Sequence, residues 1–154
     1  MKRAFLGVIT CLWLLCLSAT LYAETRAFRD FSLIVPPEWQ VQESGNRVEL
    51  ISPGQSCVVS ILVGDSGGMD SKLIASEMSQ ILKGGEPEPV AGSEAWAFTA
   101  EVGGVASYTR VQSHEGRYLF FSIVGERERF DAEVDAIWQS LNGKRKAVRE
   151  LIRR

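Results

Sequence analysis

The sequence predicts an α+β domain: an antiparallel β-sheet meander flanked by two helices, an α-β-α sandwich. Three observations carry this. Short runs whose apolar residues alternate with a period of two recur between Ala27 and Val124. Turn signals rich in Gly, Pro and Ser separate neighbouring runs at hairpin spacing. Two stretches instead repeat apolar residues every three to four positions, the period of a helix with one buried face.

The first segment, MKRAFLGVITCLWLLCLSATLYA, is read as a secretory signal peptide over residues 1–23. Lys2 and Arg3 precede an apolar run from Phe5 to Leu17, and the small residue Ala23 stands before Glu24, where apolar character stops. Cleavage after Ala23 would place the protein in the periplasm or outside the cell. Lipidation is not expected, because Leu15 precedes Cys16 where a small residue would be required, and Cys11, after Thr10, comes too early in the segment. The alternative is a retained inner-membrane anchor, since a run of about 18 apolar residues can just span a bilayer.

Removing those 23 residues from 154 leaves 131, the size of one domain with one core. The expected division is a domain over residues 24–142 and a basic tail over 143–154. Residues 24–142 carry nine cations and 18 carboxylates, a net −9, whereas the tail carries six cations against Glu150, a net +5. The acidic body repels phosphates, so nucleic acid is excluded as a partner.

Within the domain, Phe31, Leu33 and Val35 share a strand face that Pro36-Pro37 ends, and Trp39 and Val41 resume it. Asn46–Ile51 follows a Ser-Gly turn and leads through Ser52-Pro53-Gly54 to Cys57–Val63. Cys57, the only cysteine after residue 23, alternates with Val59, Ile61 and Val63, which marks a buried inert thiol with no disulfide partner. Ile74, Met78, Ile81 and Leu82 then mark the first helix, with Asp70 or Ser71 as N-cap and Gly84-Gly85 beyond its end. After EPEPVAG, Trp96, Phe98, Ala100 and Val102 alternate, Gly103-Gly104 turns, and residues 105–113 pair back. RYLFFSIV has apolar side chains on both faces, as a central covered strand should. The second helix, RERFDAEVDAIWQSLN, spaces Phe130, Val134, Ile137, Trp138 and Leu141 on one stripe that must dock on the sheet.

GDSGG at residues 64–68 surrounds the nucleophile of trypsin-like proteases, satisfies the G-x-S-x-G of a nucleophile elbow, and contains the GDS of small esterases. None of the three holds. A trypsin-like enzyme needs histidine before serine in the chain, yet the single histidine, His114, follows Ser66. An elbow needs its serine directly between strand and helix, whereas the capping residues come four or five positions later. An esterase block would add a late D-x-x-H, and Val111 stands three before His114. Gly-Asp-Ser-Gly-Gly is ordinary turn chemistry. No catalytic residue is therefore assigned, and a serine hydrolase using Ser66 and His114 is kept only as the alternative function. One histidine with no clustered ligands supplies no metal site, no cofactor is implied, and His114 is expected to be an exposed turn residue.

FSLIVPPEWQV at Phe31–Val41 and IWQSL at Ile137–Leu141, with the order strand, P-P-x-W, strands, helix, hairpin, strand, helix, resemble the PsbP and DcrB-like group, which also includes a Ran-binding nuclear import factor. The resemblance spans Ala27 to Asn142. It implies an antiparallel sheet sandwiched by helices and an accessory or binding role rather than catalysis, and it transfers no functional residue. A photosystem role is not implied. Trp39, Trp96 and Tyr108 are the candidate contacts for a ligand or partner, although a core tryptophan is the plainer reading of Trp39. Lys144, Arg145, Lys146, Arg149, Arg153 and Arg154 form an electrostatic candidate, either a solvated, frayed helix or a contact with anionic lipid or an acidic partner. The function expected is an exported, non-enzymatic accessory domain of the cell envelope, acting through a protein or envelope component.

Overall fold

The structure, a computed structural model, describes residues 23–154, so the expected signal peptide lies outside the described residues except for Ala23. Ten strands run as β1 Glu24–Ala27, β2 Phe31–Val35, β3 Gln40–Ser44, β4 Arg47–Ile51, β5 Cys57–Asp65, β6 Glu88–Pro89, β7 Trp96–Val102, β8 Val105–His114, β9 Arg117–Gly125 and β10 Asn142–Gly143. Three helices join them: α1 Ser71–Leu82, α2 Asp131–Ser140 and α3 Lys146–Arg153. Among the described residues no helix is long and apolar enough to cross a membrane.

Seven strands make one antiparallel sheet in the order β3-β4-β5-β9-β8-β7-β6. The meander is broken once. After β5 the chain crosses through α1 and returns edge-first, so that β9 closes against β5 over nine residue pairs from Cys57↔Gly125 to Asp65↔Arg117. β9 is thus the middle strand, and its alternation divides the interior as its sequence requires. Leu119, Phe121 and Ile123 enter the larger core with Val59, Ile61 and Val63, while Tyr118 and Phe120 face the smaller core beneath α1 with Ile74, Phe98 and Val111.

The larger core is closed by α2, α3 and a second sheet of order β1-β2-β10. Phe130, Val134, Ile137 and Leu141 all enter it, as the periodicity predicts, and each buried side chain contributes about 1.5–3 kcal/mol before entropy is counted. The Pro36-Pro37 bend carries β2 out of the main sheet to pair with β1 and β10 instead of leading into β3. At that bend Trp39 packs edge-on against Phe130, ring centroids 5.6 Å apart.

Several expectations need correcting. A third helix exists, because residues 143–154 do not form a solvated, frayed end: Val148 and Leu151 are buried in the larger core. Two apolar residues three apart suffice for an eight-residue helix that already lies against a sheet, which a search for long stripes overlooks. Ile81 is 74% exposed, so the buried stripe of α1 runs instead through Ser71, Ile74, Ala75 and Ser79. Asp70 is the N-cap, its carboxylate accepting from the Leu73 amide at 2.8 Å. Glu88-Pro89 adds a short edge strand where a loop was expected.

Candidate binding cleft over strand β8

Strand β8 reads VASYTRVQSH, and its alternation places Tyr108, Arg110, Gln112 and His114 on the larger-core face opposite Ile123, Phe121, Leu119 and Arg117 of β9. On β9 that face is apolar from Leu119 to Ile123; here it is a polar row. Three members hold a buried side-chain nitrogen that makes no hydrogen bond: Arg110 Nε, Gln112 Nε2 and His114 Nε2. Buried donors are normally paired, and an unpaired one costs about 1–3 kcal/mol. A strand that could carry valine or leucine carries these instead.

At one end of the row lies a cleft of about 130 Å³ between β8, β9 and α2, lined by Tyr108, Arg110, Phe121, Ile123, Arg127, Val134, Asp135 and Trp138. Both arginines lie over aromatic rings. The Arg110 guanidinium is 4.5 Å from the centre of a Trp138 ring, and Arg127 is 5.6 Å from that of Tyr108. Phe121 meets Trp138 edge-on at 4.9 Å, which fixes the indole as a wall. Arg110 donates through Nη2 to Gln112 Oε1 at 3.3 Å, but no carboxylate among the described residues pairs with it. Burial pulls its guanidinium below the ordinary arginine range, with the nearby Tyr108 opposing. Arg127 differs, since its Nε lies 3.4 Å from Asp131 Oδ1.

At the other end, His114 is only 16% exposed and lies at the end of a strand rather than in an open turn, which corrects that expectation. Its Nε2 is 3.8 Å from Glu115 Oε1 and 3.8 Å from Glu150 Oε2. The three ligand atoms lie within 4.8 Å of one another, a donor set that could hold a divalent cation if the carboxylates closed to about 2.0–2.2 Å of one centre. The sequence hid this grouping because Glu150 reaches His114 only through α3.

Ser66 belongs to neither end. It is 1% exposed, and its Oγ makes no hydrogen bond, to His114 or to any other group. The GDSGG stretch is a turn: Asp65 Oδ1 accepts from the Gly67 amide at 2.8 Å, and Gly67 and Gly68 take the left-handed φ of 57° and 84° that glycine permits.

The other sequence candidates are dispersed. Trp39 is buried at 7% exposure. Trp96 lies on the opposite face of the sheet from Tyr108, with Lys72 Nζ 5.0 Å from its ring centre, so the two do not share a groove. Of the six C-terminal cations, Arg149 donates to the Gly143 and Lys144 carbonyls, Lys146 pairs with Glu150 at 3.6 Å, and Arg154 pairs with Glu94 at 3.0 Å. Lys144, Arg145 and Arg153 are exposed. Arg110, Gln112 and Arg127 were missed by sequence reasoning. The available signal was Tyr-x-Arg-x-Gln-x-His, a polar residue at every second position of a strand that elsewhere looks like core.

Cys57 is fully buried, and burial pushes its thiol up to about 11. It is inert at neutral pH.

No family model matches the chain, and no curated protein does. Solved structures do. The solution structure of cyanobacterial PsbP (CyanoP) from Synechocystis sp. PCC 6803 superposes with a TM-score of 0.51 at 11% identity, covering 81% of this chain and 95% of that one. A crystal structure from Bacteroides thetaiotaomicron VPI-5482 superposes with a TM-score of 0.50 at 13% identity over 75% of this chain, which spans only 46% of that longer protein. Identities this low speak to architecture alone, and the architecture agrees: the chain has a PsbP-like fold.

Proposed function

We propose that the chain is an exported, non-enzymatic binding domain of the cell envelope, which meets a protein or envelope component through the cleft beside Tyr108. One observation carries the reading. Arg110 is held against Trp138 with a buried, unpaired Nε and no carboxylate partner among the described residues, although the surrounding domain is rich in carboxylates. A partly desolvated cation that no carboxylate balances costs the fold stability, and an anionic ligand in the cleft offsets that cost. Export is supported by the Lys2-Arg3 and apolar leader and by β1 beginning at Glu24, directly after the expected cleavage point.

Two experiments test this. Affinity purification from envelope extract should retain a partner on the wild-type domain and lose it on Arg110→Gln; retention unchanged by that substitution would refute the cleft as the contact. Intact mass should show a protein beginning at Glu24, whereas retention of residues 1–23 would make it an anchored protein. The alternative, a serine hydrolase, requires a fluorophosphonate adduct at Ser66 that Ser66→Ala abolishes.

A second contact, with anionic lipid, is favoured by the exposure of Lys144, Arg145, Lys146 and Arg153 beside and along α3. Near such a surface each cation contributes on the order of 1 kcal/mol. Replacing the four with glutamine should weaken co-sedimentation with phosphatidylserine vesicles; unchanged binding would dispose of the contact.

A further inference from the structure

We propose that the group received by the cleft is a single carboxylate carried on a short apolar body. This rests on the cleft being the recognition surface and adds the ligand's chemistry. The Arg110 guanidinium lines the cleft against the Trp138 ring and pairs with no carboxylate among the described residues, and its planar fork matches an oxyanion, carboxylate or phosphate. Arg127, over the Tyr108 ring, supplies a second cation at the same cleft. Phe121, Ile123 and Val134 provide an apolar floor, and Trp138 a flat wall.

Two observations narrow the anion. Asp135 lines the cleft and Asp131 lies 3.4 Å from Arg127 Nε, so a phosphate dianion would face two like charges that a monoanion tolerates better. A volume of about 130 Å³ seats a carboxylate and one small ring or side chain, with any remainder of the ligand lying outside the cleft. The carboxylate can belong to a free organic acid or to the C-terminus of a peptide. The recognition chemistry is the same for both.

The test follows the Arg Nε and Trp indole resonances of the protein by NMR during titration with benzoate, benzamide, phenyl phosphate, N-acetylphenylalanine and N-acetylphenylalanine amide. Benzoate and N-acetylphenylalanine should shift Arg110 Nε and the Trp138 indole, and the two amides should not. Tighter binding of N-acetylphenylalanine than of benzoate assigns a peptide terminus, the reverse a free acid, and either supports the carboxylate. Arg110→Gln, and separately the more exposed Arg127→Gln, should each weaken benzoate by about tenfold, as loss of a charge-assisted hydrogen bond implies. Benzamide matching benzoate, phenyl phosphate binding more tightly than either acid, or no response of Arg110 Nε to any carboxylate would overturn the proposal. If the carboxylates fail while an envelope partner still depends on Arg110, the ligand class falls and the recognition surface stands. If partner retention ignores Arg110, the surface itself falls.

Discussion

Truncating Leu151 to alanine tests whether the C-terminal helix belongs to the core. Leu151 is 0% exposed, and its helix begins three residues after Gly143, where an added Cβ would collide with the backbone of Val148 and Arg149. Leu→Ala at so closed a position costs about 2–5 kcal/mol, the loss of buried methyl groups plus the cavity they leave. With an unfolding slope of about 1.5 kcal/mol per molar urea, a loss near 3 kcal/mol lowers the midpoint by about 2 M. Gly143→Ala should be destabilising too, because the collision is with backbone that cannot rotate away. Arg153→Ala, at an exposed position, should stay within about 0.5 kcal/mol of wild type. Urea unfolding followed by tryptophan fluorescence and by far-ultraviolet circular dichroism gives all three values. An unchanged midpoint for Leu151→Ala would mean that residues 143–154 fray into solvent, as their charge alone suggests.

Other measurements bear on separate parts of the structure. The Cys57 thiol, with its pKa near 11 when folded and about 9 when unfolded, favours the folded state below pH 9, and that advantage is lost as pH rises from 9 to 11; between pH 8 and 10 the wild type should lose about 1 kcal/mol more than Cys57→Ala, and parallel curves would contradict the burial assigned to the thiol. Gly125→Ala should unfold at markedly lower urea, since Gly125 has φ of 104° and an added Cβ would run into the Ser56 carbonyl; a wild-type midpoint would show that the strand end can shift. Fluorophosphonate should leave the folded protein unlabelled, because Ser66 Oγ is buried and no base touches it, and a stoichiometric adduct would reverse that view.

The elements that were legible in the sequence are those whose own residues decide their state. Phe130, Val134, Ile137 and Leu141 announce α2 by spacing, and Leu119, Phe121 and Ile123, alternating with Tyr118, Phe120 and Val124, announce the central strand. The illegible parts depend on distant partners. Nothing local says that β2 turns away from the main sheet to pair with Asn142-Gly143, or that Glu150 returns to His114. Ile81 fits the helical stripe by number, yet α1 covers only part of its sheet face, and Ile81 falls outside the contact at 74% exposure. The cleft was hidden for a related reason. Tyr108, Arg110, Gln112 and His114 resemble a solvated strand face when read alone, and only the docking of α2 and α3 turns that face inward.

The central claim, that this chain works by recognition at the cleft of β8 and α2, is tested most directly by photo-crosslinking in the native envelope. Benzoylphenylalanine in place of Tyr108 should form a defined adduct with a partner, and the same probe in place of Ile81, exposed on α1 across the sheet, should form none. An adduct from position 81 with none from position 108 would put the working surface on the other side of the sheet and contradict the account.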